Sequence, residues 1–175
     1  MSATFSLIEG ALTTFRAMPG YGSPDQNGVV PVFDGAGEVG ESPEVWIVIG
    51  ARTPWAEPDV DDLAGSSDSE VVSLPLSAGS RREAVTIPCA VGAYSGSINF
   101  RSLRESIDIC LADMDEQLRS TGALGMSNVV SLTMSVSTFR QAATADGAEA
   151  VMEFDLSASF IVGGGAFTAT YEEGF

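Results

Sequence analysis

The chain has 175 residues, a mass of 18.1 kDa and a mean hydropathy of +0.19, which suits one domain with a real core and excludes general disorder. Its eight bases are all arginines against 24 acids, a formal net charge of −16, and there is no lysine and no histidine. That removes Ser-His-Asp and Cys-His catalysis, histidine metal ligands, and Schiff-base and P-loop lysines, and the sign of the charge disfavours groove binding of nucleic acid by phosphate neutralisation.

No apolar run reaches the roughly 18 residues needed to span a bilayer. The start, Met-Ser-Ala-Thr, lacks the basic and apolar regions of a signal peptide. The expectation is a soluble, intracellular chain with no membrane contact. Cys89 and Cys110 are too few and too far apart for a zinc motif. Each sits at an apolar position of its segment, so both read as buried free thiols.

In chain order, residues 2–18 carry Phe5, Ile8, Leu12 and Phe15 at spacings of three and four, the stripe of an amphipathic helix that stops at Pro19-Gly20. Two strands are predicted at 29–33 and 45–50. The second, Val-Trp-Ile-Val-Ile, is apolar on both faces and predicts a central strand. Residues 52–70 form an acidic loop with Glu57, Asp59, Asp61, Asp62, Asp68 and Glu70. It lacks the residue order of a calcium loop and reads as a solvated segment. A strand at 70–76 follows, then one at 81–91, where Pro88 predicts an edge position or a bulge.

The longest helix begins after Asn99, a capping residue, and repeats Phe100, Leu103, Ile107, Leu111, Met114 and Leu118 before Thr121-Gly122 ends it. The last third reads as a long hairpin turning at Asp146-Gly147. One face of its first strand carries Val130, Leu132, Met134 and Val136. In the second strand the even positions from Ala148 to Phe160 are apolar, and their alternates include Glu149, Glu153, Asp155, Ser157 and Ser159. That wet face is expected to be uncharged or acidic, with no base until Arg140. Gly163-Gly164-Gly165 then leads into the alternating segment 167–171, from Phe167 to Tyr171. It reads either as an arm that adds to a sheet edge of another copy or as a frayed terminus. The predicted class is α+β: a mostly antiparallel sheet with a long C-terminal hairpin, packed against an N-terminal helix and one long helix. One domain spans 1–162, and 163–175 is a glycine-hinged arm.

Particular residues carry a resemblance. Arg81-Arg82-Glu83 opens a strand, a Gly/Ser loop runs into a helix with Arg101 and Arg104 in its first turns, and that helix ends in Asp-Glu-Gln-Leu-Arg-Ser-Thr-Gly-Ala-Leu-Gly (115–125) before the hairpin. This order resembles the tail terminator proteins of long-tailed bacteriophages, in particular those of actinobacterial hosts. It covers residues 1–162 as an order of elements and is close in residue pattern from 81 to 160. The acidic loop and the arm have no counterpart in it.

The resemblance implies a non-enzymatic virion protein without cofactor or metal. Six copies would form a ring that caps the head-proximal end of the tail tube, stops tube polymerisation and joins the head connector or head-closure protein. Its partners would be itself and the major tail tube protein. It would be assembled in the host cytoplasm, and DNA would pass through its hole during ejection without specific binding.

The residues agree on one physical point. A hole through which DNA slides should not hold phosphates, and the face bearing Glu149, Glu153, Asp155 and Ser157 has that chemistry. It reads as a lumen lining or as an ordinary solvated face. Copies carrying −16 repel one another, so Arg81, Arg82, Arg101 and Arg104, with Phe167 and Tyr171 of the arm, are candidate contacts between subunits. A pair within one chain, such as Arg101 with Glu105, is the alternative. Rival readings are another neck or tube ring protein, a carboxylate-based enzyme built on Glu153 and Asp155, and a domain adapted to high salt.

Overall fold

A computed structural model describes residues 3–36, 43–52, 70–73 and 81–162, with backbone alone at 70–73 and 81. Two helices and seven strands alternate as α1 (Ala3–Arg16), β1 (Tyr21–Gly22), β2 (Val30–Asp34), β3 (Val45–Ile49), β4 (Glu70–Ser73), β5 (Arg81–Ser95), α2 (Phe100–Thr121), β6 (Val129–Thr144) and β7 (Gly147–Val162). The sheet order is β1-β2-β3-β5-β7-β6, with β4 paired to β5. Only β1–β2 and β2–β3 are parallel. The fold is therefore α+β, a mostly antiparallel sheet with its C-terminal hairpin packed against helices.

Both helices lie on one face of the sheet. From α1 the row Ala3, Leu7, Ala11 and Phe15 is buried, and from α2 Leu103, Ile107, Cys110 and Met114 are buried. They close on Ile47 and Ile49 of β3, Ile87, Cys89 and Val91 of β5, and Phe154, Leu156 and Phe160 of β7. Phe5, expected on the apolar stripe, is instead 64% exposed. It stands two residues from Leu7, which places it on the opposite side of the helix. Asn99 caps α2 as its side chain accepts from the Ser102 N–H at 3.2 Å, and Gly122 ends it with φ of 53°. Both cysteines are buried free thiols, and burial pushes the Cys89 thiol up to about 12.

β3 is interior as predicted, with Ile47 and Ile49 turned to the helices and Trp46 and Val48 to the other face. That second face has its own apolar cluster of Phe33, Trp46, Val48, Ala51 and Ala90. Trp46 lies across Gly92 of the neighbouring strand, so close that a Cβ there would overlap the indole.

The strand containing Pro88 is neither at an edge nor bulged, contrary to the sequence expectation. β5 lies between β3 and β7, and its register with β7 runs unbroken from Arg81↔Val162 to Ser95↔Ala148. The reason is local. In an antiparallel ladder the N–H and C=O of one residue point to the same neighbour. The Pro88 carbonyl accepts from the Gly50 N–H at 2.9 Å, so its missing donor points to the β3 side. There β4 pairs only with residues 81–84 and β3 only with 89–93. Proline therefore occupies a gap between two partners and removes no bond from the β5–β7 ladder.

The hairpin departs from strict alternation at two places in β6, between Val129 and Ser131 and between Val136 and Thr138. The first bulge leaves Val130 54% exposed rather than on the apolar face. At the turn, Gly147 has φ of 150°, and a Cβ on it would run into the Ser95 carbonyl oxygen, so only glycine fits. Residues 53–69 and the arm 163–175 lie outside the described residues, as do the contacts predicted there for Phe167 and Tyr171.

Candidate functional site

The sheet face away from the helices is the candidate site. On β7 it carries Glu149, Val151, Glu153, Asp155 and Ser157, opposite Tyr94, Gly92, Ala90, Pro88 and Thr86 of β5. Alternation alone places these side chains together, and the sequence reading had them on one face. The same reading expected an uncharged or acidic face with no base until Arg140, and here the structure corrects it by bringing in Arg52 as well.

Arg52 follows the Gly50 turn at the end of β3 and lies over the hairpin. Its Nη2 donates to Asp155 Oδ1 at 2.5 Å, its Nη1 donates to the Phe154 carbonyl at 3.0 Å, and its Nε lies 3.9 Å from Glu153 Oε2. Arg140 Nη2 holds the other oxygen of Glu153, at 2.5 Å. Glu153 is thus gripped from two sides and its side chain is only 16% exposed. Two cations therefore meet three carboxylates, Glu149 included, and the strip carries a small net negative charge. Ser157 hydrogen-bonds Thr86, hydroxyl to hydroxyl, at 2.8 Å.

Arg140 reaches this face because of the second bulge. Before it, Ser131, Thr133 and Ser135 pair with Ser159, Ser157 and Asp155 on the open face. After it the parity reverses, so Thr138 meets Glu153 and Arg140 meets Val151 on that same face. Unbulged, β6 would have turned Arg140 toward the helices. Neither the bulge nor the reach of Arg52 leaves a mark in residue spacing, so periodicity could not find the network. Arg52, Phe139, Arg140, Gln141, Glu149 and Val151 border an open depression beside it.

The candidate subunit contacts disperse. Arg101 pairs within the chain with Glu105 at 2.8 Å, the alternative weighed from sequence, and its side chain is 85% exposed. The Arg104 guanidinium donates to Gln141 Oε1 at 3.4 Å, bridging α2 to the hairpin. Arg82 is exposed on β5, and the side chain of Arg81 is outside the described set.

A second polar contact joins the helical layer to the sheet. The Tyr21 hydroxyl donates to Asp113 Oδ2 at 2.6 Å, and burial, then this bond, raise its pKa well above the ordinary phenol value. Among the described residues no three His, Cys, Asp or Glu side chains gather as a metal site, and no helix is long and apolar enough to cross a membrane.

The outer edge of the hairpin completes the site. β6 is the last strand of the sheet among the described residues, with β7 on one side only. Its 16 residues include one charge, Arg140, and no proline. Val130 and Val136 are more than half exposed and Phe139 is 40% exposed. No protein-family model matches the chain, and no curated protein matches it.

Proposed function

We propose that this chain is a structural ring subunit of a long-tailed bacteriophage, of the tail terminator type. Copies join through their sheet edges into a ring that caps the head-proximal end of the tail tube and meets the head connector. The observation that carries this reading is the edge of β6. A long strand whose outer backbone groups are unpaired among the described residues, with exposed aliphatic and aromatic side chains and a single charge, is a surface for another chain. The residue-order resemblance over 81–160 names the assembly in which such an edge serves.

The open hairpin face supports a DNA passage in a more specific way than a bare acidic strip. Arg52 and Arg140 are engaged by Asp155 and Glu153, so the face has cations that are already neutralised from within. Phosphates sliding past meet hydroxyls, ion pairs and Glu149 rather than free guanidinium groups. Because the subunits carry −16 each, their contacts must rest on apolar and backbone pairing, which is what β6 offers.

Electron microscopy of the purified full-length chain tests this reading. Closed rings with a central hole are expected. Long cylinders would make it a tube protein instead, and particles that remain single at every concentration would remove the ring altogether.

A further inference from the structure

The ring reading leaves open what occupies the outer edge of β6, and the geometry names an occupant. We infer that the segment 167–171 of a second copy adds as a strand to residues 131–136 of β6, so that neighbouring subunits are linked by exchanged arms. This rests on the reading above and deepens it by identifying the contact.

Three observations converge. First, the two bulges of β6 isolate a regular stretch. Ser131 to Val136 pair without interruption with Ser159 to Phe154, leaving a straight six-residue edge between the irregularities. A bulge limits how far a partner strand can follow, so an incoming segment of five or six residues is the length this edge accepts.

Second, the faces match. Leu132, Met134 and Val136 lie on the helix-side face of β6, the first two half-buried and Val136 56% exposed, while Ser131, Thr133 and Ser135 lie on the other. In the segment Phe167-Thr168-Ala169-Thr170-Tyr171 the apolar residues also alternate with hydroxyls. Pairing sets Phe167, Ala169 and Tyr171 beside the aliphatic row and the threonines beside serine and threonine. The Phe-Thr-Ala-Thr-Tyr segment is uncharged, so it adds no repulsion to a contact between anionic chains.

Third, the chain leaves β7 where its own β6 is blocked. Phe160 pairs with Val129, the first residue of β6, and the Ile161 N–H donates to the Asn128 carbonyl at 2.9 Å. The segment entering β6 therefore lies across the direct route from Val162 to the outer side of that strand. An arm returning along its own β6 would have to pass around that segment with Gly163-Gly164-Gly165-Ala166 as the whole connection. A second copy imposes no such constraint.

Cross-linking of full-length chains tests this. One population carries Met134→Cys, the position opposite residue 169 in either strand direction, and another Ala169→Cys. The native thiols are buried and do not compete. On mixing under mild oxidation, a disulfide between the two populations is expected. In a third population Ala169→Pro with Thr170→Pro removes an N–H from each side of the arm, so whichever side pairs loses a donor. Deuterium uptake at residues 131–136 should then rise roughly tenfold in rate over the unsubstituted chain. No disulfide between populations, or a bond that forms only when both cysteines share one chain, overturns the inference, as does unchanged uptake. If the proline variant still forms rings, arm exchange fails while the ring reading stands. Absence of rings from the unsubstituted chain defeats that reading, whatever the cross-link shows.

Discussion

Gly92→Ala should lower stability by about 3 kcal/mol, near the top of the range for overpacking a core. Gly92 sits in the interior strand β5, paired to Trp46 on one side and to Val151 on the other. The indole fills the space a side chain would take, and an added Cβ would overlap its Cζ2, Cε2 and Nε1 atoms. Trp46 has no solvent to move into, being 0% exposed, with Phe33, Val48 and Ala90 in the same cluster. The strand cannot shift either, since its register with β7 continues through all fifteen residues. The measurement is the urea midpoint at unchanged slope. Trp46→Phe combined with Gly92→Ala should be less destabilising than the sum of the two changes, because the smaller ring relieves the overlap. Simple additivity would mean that the glycine serves some purpose other than seating the tryptophan.

Arg52→Ala should cost about 2 kcal/mol, through the groups it leaves behind rather than through the lost pair itself. The Phe154 carbonyl loses a donor, and Asp155 loses the guanidinium at 2.5 Å. Glu153 keeps only Arg140. These carboxylates are largely withdrawn from water, with side chains 16% and 28% exposed, so solvent replaces the cation only in part. For a chain of this length such a loss lowers the melting temperature by roughly 4–8 °C. Arg101→Ala supplies the control. Its pair with Glu105 is on an exposed helix surface, and stability should not change. Equal effects from the two substitutions would contradict the distinction drawn between a structural network and a solvated pair.

Much of this architecture is legible in the residues. The apolar spacing and Asn99 cap of α2, the doubly apolar β3 and the turn at Asp146-Gly147 are each dictated by local chemistry, and the structure places them accordingly. What the sequence conceals is non-local. β1 is two residues long and exists only because Tyr21 and Gly22 meet β2. Pro88 argues against an interior strand unless the ends of β3 and β4 are known to leave a gap beside it. The charge network depends on a single inserted residue in β6, which reverses the facing of everything after it, and on Arg52, far away in sequence. Alternation located the acids correctly and could say nothing of the bases that reach them from other strands.

The network also alters what a lumen of this kind would be. A strip of unpaired carboxylates would repel neighbouring subunits as strongly as it repels DNA. Pairing Glu153 and Asp155 with Arg140 and Arg52 reduces that mutual repulsion and keeps the surface unattractive to phosphate. The same economy of free charge marks the β6 edge, where one arginine in 16 residues leaves backbone pairing unopposed.

The most direct test of the central claim is the length distribution of tail tubes assembled from the tube subunit with increasing amounts of this chain, observed by electron microscopy. The account predicts that tubes shorten as the chain is added and that each stopped tube carries one ring at one end only. Tubes of unchanged length with bare ends, or tubes that incorporate the chain along their walls, would contradict it.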